Sequence, residues 1–193
     1  ILSLEQAWQR YFISGIIPKP HGNYYDAIAP YDSYEAKDGW IVIGCGNQKL
    51  YEILCNQILK RPDLVTDERF VTVPLRVKNN KEFKKIMEAW LADYSVNEAV
   101  DKILGVGIPS GPILNVEQIA RDEHFTKARE MFVTVDHPVS GKVVINGNAI
   151  KMSDTKATLR MPAPTLGQHT AQILEEYGYT TEDIERLIRE KVV

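Results

Sequence analysis

Four histidines, His21, His124, His137 and His169, and two cysteines, Cys45 and Cys55, are the side chains best suited to metal or nucleophilic chemistry. None stands in an HxxxH or HExxH pattern, and the cysteines are too far apart for CxxC, so no ligand set forms along the chain. Each cysteine reads as a small buried hydrophobe. No GxSxG, GxxxxGK[ST] or complete GxGxxG occurs. Gly44-Cys45-Gly46 has half of the last pattern, and it reads as a strand-end turn feeding an Asn47 helix cap. Lys78, Lys81, Lys84 and Lys85 cluster opposite an apolar helix stripe and read as a solvated face. The loop His21-Gly22-Asn23-Tyr24-Tyr25-Asp26 combines a flexible glycine with hydrogen-bonding and aromatic groups, the composition of ligand-contacting loops.

Several elements must position these residues. Leu4, Ala7, Trp8, Tyr11 and Phe12 recur at helical spacing behind a Ser3 cap with Gln6 three residues on, and Gly15 and Pro18 stop that helix. A loop follows from Pro18 to Pro30. Tyr31 to Ala36 and Trp40 to Cys45 predict an antiparallel hairpin around Asp38-Gly39, with the glycine supplying a positive φ. Asn47 opens a helix that runs to Arg61-Pro62. Residues 61–78 read as an irregular polar connection, and Phe83, Ile86, Met87, Trp90, Leu91 and Tyr94 as a helix. Ser95 with Glu98 caps the next, which Gly105 ends in a left-handed conformation. Gly107 to Pro112 reads as a loop, because its prolines lack backbone donors. Asn115 with Gln118 starts a short helix. Met131–Val135 and Val143–Ile145 form strands joined through Pro138 and Gly141. Two helices close the chain, one ended by Gly178 and one opened by Thr180 with Asp183. This mixture, without βαβ alternation, predicts an α+β fold.

The chain has 193 residues, 44% hydrophobic and 25% charged, with net charge −3. Those figures describe a folding globular protein and give no overall attraction to nucleic acid or an anionic membrane. With no membrane span or signal pattern, the expectation is a cytoplasmic protein with no nucleic-acid and no membrane partner. The chain starts at Ile1 with a helix pattern almost at once, which reads as a piece of a longer polypeptide.

Several short segments, in order along the chain, resemble the class III coenzyme A transferases, the group of formyl-CoA, carnitine-CoA and bile-acid CoA transferases and α-methylacyl-CoA racemase. They are Gly22-Asn23 with Ala29-Pro30-Tyr31, Lys37-Asp38-Gly39-Trp40, Leu64 with Asp67-Glu68-Arg69-Phe70, Arg76 and Asn79. Further on come Gly107-Ile108-Pro109 with Gly111-Pro112-Ile113, Ala128-Arg129-Glu130-Met131, His137-Pro138 with Gly141, Pro162-Ala163-Pro164 with Leu166-Gly167-Gln168-His169-Thr170, and Gly178-Tyr179.

The resemblance implies that this is the C-terminal half of an enzyme about twice as long. Residues 1–27 would be a linker helix and loop, 28–115 a small α+β domain, and 116–193 a return segment packing on a missing large domain. It implies transfer of coenzyme A between an acyl-CoA and a free carboxylic acid. An aspartate would attack the thioester to form an acyl-aspartyl anhydride. That aspartate would lie outside this chain: Asp38 resembles a hairpin-turn residue and Asp67 a structural loop residue. No resident cofactor or metal is implied; coenzyme A and acyl-CoA are substrates, and the implied assembly is a homodimer.

By the same resemblance this part would cover the acyl site as a lid, with Gly22, Asn23, Tyr24, Asp26, Ala29, Pro30 and Tyr31 as substrate-binding residues. Gly22 to Ala29 lacks the glycine run of formyl-CoA transferase, and Asn23 to Tyr31 is nearer the racemase-like and carnitine-like branches. Two alternatives stand beside transfer: racemisation of an acyl-CoA, and a non-catalytic binding or assembly module.

Overall fold

A computed structural model describes residues 6–193, so the expected Ser3 cap and Leu4 lie outside the described residues. The chain divides into two compact units, the first ending at Leu114 and the second running from Asn115 to Val193.

Unit 1 opens with α1, Ala7–Ser14, closed by Gly15 at φ 69°, whose N–H donates to the Tyr11 carbonyl at 2.8 Å. Residues 15–30 carry no regular element. Three antiparallel strands follow: β1 (Tyr31–Ala36) pairs β2 (Gly39–Gly44), and β2 pairs β3 (Ser110–Ile113). The hairpin forms where expected, but its turn is shorter: Lys37 and Asp38 alone make it, and Gly39 already lies in β2, opposite Ala36. Its glycine has a different purpose from the one expected. Gly39 does not have a positive φ; an added Cβ would stand 3.1 Å from Val96 Cγ2, so its smallness admits the helix that begins at Val96. The turn itself is anchored from outside, as Lys37 N–H donates to the Tyr94 carbonyl and Val96 N–H donates to Asp38 Oδ1 at 2.7 Å.

Asn47 caps α2 (Gln48–Ile53) by accepting from Leu50 N–H at 2.9 Å, and the helix widens into π turns over Leu54–Ile58. The stretch 61–78 is largely helical rather than irregular: it holds α3 (Asp63–Thr66) and α4 (Val73–Lys78). Both prolines sit where helices begin, Pro62 before α3 and Pro74 in the first turn of α4, so they start helices instead of breaking them. Then come α5 (Asn80–Leu91) and α6 (Val96–Gly105), the latter opened by the full Ser95/Glu98 capping box.

Gly105 is the last helical residue of α6; the left-handed residue is Gly107, at φ 79°. The reversal waits two residues because Ile108, fully buried, must swing into the core while its N–H bonds the Ile103 carbonyl. Residues 110–113 are a strand, not a loop. As an outer strand β3 pairs on one side only, which accommodates Pro112 opposite Ile41. The core of unit 1 packs Tyr34, Ile41 and Ile43 from the sheet against Tyr51, Leu54, Phe70, Phe83, Met87, Leu91 and Ile103.

Unit 2 contains α7 (Val116–Arg121, with the expected Asn115/Gln118 box), π turns over His124–Ala128, and an antiparallel hairpin of β4 (Phe132–His137) and β5 (Gly141–Asn146). It ends with α8 (Thr170–Glu176) and α9 (Thr181–Arg189), the latter boxed by Thr180 and Asp183. Among the described residues of this unit, Ile184 alone is buried. No helix among the described residues is long and apolar enough to cross a membrane.

Candidate functional site

The loop before β1 carries the expected site residues, and three successive carbonyls hold its end in place. Arg76 Nε donates to the Ala29 carbonyl at 2.9 Å, Cys45 N–H to Pro30 at 2.9 Å, and Tyr25 N–H to Tyr31 at 2.8 Å. Ala29 and Pro30 are buried and line neither of the two clefts beside the loop. The Ala29-Pro30 peptide is cis. Gly22 has φ 90° with open space around it, a conformation glycine adopts freely. Tyr24 packs its ring against His21, centroids 4.7 Å apart.

Residues of the loop line two clefts. The larger, about 740 Å³, brings Asp26 together with Arg10, His21 and Tyr25, and Arg10 forms an ion pair with Asp26. The smaller, about 290 Å³, brings Asn23 and Tyr31 together with Asp32, Gly44, Ser110 and Gly111. Asn23 Nδ2 donates to Ser33 Oγ at 3.0 Å, and the Tyr31 ring lies over Gly44, where an added Cβ would meet it at 3.1 Å. Of the expected residues, Asp26 lines the larger cleft and Asn23 and Tyr31 the smaller, so they do not share one surface.

Behind the smaller cleft lies a polar cluster that sequence reading missed. Asp32 alternates with Tyr34 and Ala36 on the core-facing side of β1 and is almost fully buried. Its Oδ1 accepts from Ser33 N–H at 2.7 Å, its Oδ2 from Asn80 Nδ2 at 3.3 Å, and Lys84 Nζ stands 3.6 Å away. Lys84 also donates to the Ser33 carbonyl and lies 5.2 Å from the Tyr34 ring centroid. It thus leaves the solvated lysine face to Lys78, Lys81 and Lys85, drawn inward by a buried carboxylate. The strand period was the available signal, since it puts Asp32 among apolar neighbours where a charge needs partners. Burial, and next the nearby Asp32 charge, push the Tyr34 hydroxyl well above its ordinary pKa.

The aspartates that resemblance set aside have structural work. Asp38 caps α6, and Asp67 accepts from Arg69 N–H at 2.9 Å and from its guanidinium, which holds the Asp67 carboxyl down to about 2. Burial raises both thiols, Cys45 to about 12 and Cys55 to about 11, so neither is a nucleophile at neutral pH. Among the described residues no group of three or more His, Cys, Asp or Glu side chains is placed to hold a metal.

The family described as CoA-transferase family III matches residues 1–170. A succinyl-CoA:glutarate CoA-transferase of Mus musculus is 33% identical over 194 residues, covering 100% of this chain and 44% of that protein. An acyl-CoA transferase of Fusarium pseudograminearum is 35% identical over 181 residues, 93% of this chain and 39% of its own length. A crystal structure of a CAIB/BAIF family protein from Brucella suis superposes with TM-score 0.71 at 31% identity, over 90% of this chain and 44% of that one. The chain spans less than half the length of the relatives it matches.

Proposed function

The chain belongs to CoA-transferase family III, and from that premise we propose that the protein carrying it moves coenzyme A from an acyl-CoA to a free carboxylic acid. The observation that carries this reading is the family match over residues 1–170, together with relatives named as transferases along nearly all of this chain. Residues 28–115 form the small domain, with 1–27 as its linker and 116–193 as the return segment toward a large domain. The nucleophilic aspartate belongs to that large domain. In this chain Asp32, Asp38 and Asp67 are engaged in structural hydrogen bonds.

The loop from Gly22 to Tyr31 covers the acyl group and excludes water from an anhydride intermediate. Asn23 and Tyr31 meet the substrate from the smaller cleft. The mouse relative is named for two dicarboxylic acids, succinate and glutarate, and a short dicarboxylic acyl group is the substrate class proposed here. The active form is a cytoplasmic homodimer.

The test assays the full-length protein with succinyl-CoA and a panel of mono- and dicarboxylic acids, separating the CoA thioesters by chromatography. A new thioester formed by the full-length protein, with none formed by the 193-residue chain alone, is the expected result. A folded full-length protein that transfers CoA to no acid in the panel overturns the reading, as does turnover by this chain unaided.

A further inference from the structure

We propose that Arg76 is a positioning residue: its guanidinium clamps the Asn23–Tyr31 loop from behind and sets where that loop meets the substrate. The inference rests on reading the loop as substrate-facing. Arg76 is 1% exposed, yet no carboxylate lies within ion-pair distance of it among the described residues. Its charge is satisfied by dipoles and a ring instead. Nε donates to the Ala29 carbonyl at 2.9 Å, Nη1 donates to the Phe70 carbonyl at 2.8 Å, and the guanidinium carbon sits 4.1 Å from the Tyr51 ring centroid.

A site that needed only packing would take an apolar side chain, because a buried charge without a counter-ion is costly. Here the planar fork links two carbonyls, one on the loop and one just before α4, and stacks on a third element at once. A lysine cannot reproduce that arrangement, as it offers a point charge with no planar fork. The other two holds on the loop end, at Pro30 and Tyr31, come from backbone N–H groups. Of these three carbonyl contacts, only the one at Ala29 is made by a side chain, so it is the one a substitution can release.

Hydrogen exchange on this chain, with Arg76→Lys and Arg76→Gln, reads the clamp directly. The amides of Tyr25 and Cys45, which bond the loop end, should exchange about tenfold faster in both variants, while α5 amides such as Met87 change by less than about threefold. Tyr51→Phe is the control: it keeps the ring under the guanidinium but removes the hydroxyl that donates to the Leu64 carbonyl at 2.7 Å. It should lower stability without singling out Tyr25 and Cys45.

Unchanged exchange at those two amides in both Arg76 variants overturns the inference, and so does an equal rise at every amide, which marks a general loss of packing. In the full-length enzyme Arg76→Lys should raise KM for the acyl-CoA about tenfold with kcat within about threefold. Selective loosening with an unmoved KM leaves the clamp standing and instead overturns the placement of the loop at the substrate.

Discussion

A buried ionisable group is either held neutral or surrounded by partners, and unit 1 contains both solutions. Asp32 and Arg76 are surrounded by polar partners, Asp32 by Asn80 and Lys84, Arg76 by two carbonyls and a ring. Cys45 and Cys55 remain neutral because burial raises them to about 12 and about 11. The unfolded thiol ionises near pH 9, so the folded protein holds its protons longer than the unfolded chain does. That stabilisation is complete below about pH 9 and is lost as pH climbs toward the folded values. Native stability should therefore fall between about pH 9 and about pH 11, and Cys45→Ala should show a smaller drop in urea midpoint over that range than the parent chain. An equal drop in the two proteins would show that the Cys45 thiol does not contribute.

Among the elements, two glycines show why backbone contact matters more than glycine content. An added Cβ at Gly39 meets the end of the Val96 side chain at 3.1 Å, and that side chain can yield by a few tenths of an ångström. At Gly147, just beyond β5, it would stand 2.1 Å from the Glu130 carbonyl oxygen, which is backbone and cannot yield without moving the entry to β4. The Gly147 N–H also donates to the Met131 carbonyl at 2.8 Å, closing the open end of the hairpin. Gly147→Ala should cost on the order of 1–3 kcal/mol, measured by the hydrogen exchange of the β4–β5 amides. Gly39→Ala should cost under about 1 kcal/mol, measured by urea unfolding of unit 1.

At the scale of the molecule, the two units differ in how much apolar surface they conceal. Unit 1 holds an extensive core, yet on α1 and the residues after it Phe12 is 76% exposed, Ile13 86% and Ile17 70%. In unit 2 the buried apolar residue is Ile184, while Val116, Val139, Leu166 and Tyr177 are each more than three-quarters exposed. Such surface costs roughly 25 cal/mol per Å² when left in water, enough over several side chains to favour any apolar cover. The 193-residue chain should therefore self-associate as concentration rises, with sedimentation or light scattering reading the mass. A monomer at high concentration that binds no hydrophobic dye would contradict this. Limited proteolysis should cut unit 2 before unit 1, because its backbone has little core to protect it.

Local chemistry was legible in the residues: the caps at Asn47, Ser95, Asn115 and Thr180, the antiparallel hairpin around Asp38, and the helical stripe from Phe83 to Leu91 each depend on contacts a few positions apart. The family resemblance rests on short motifs of the same kind. Only the tertiary structure decided that 61–78 is helical, that 110–113 completes a sheet, and that Lys84 turns inward to Asp32. It alone showed that Arg76 holds a loop 47 positions earlier in the chain. The reason is physical: a cap or turn is set by the residues beside it, whereas a buried charge or an outer strand is set by which distant groups the fold brings to meet it.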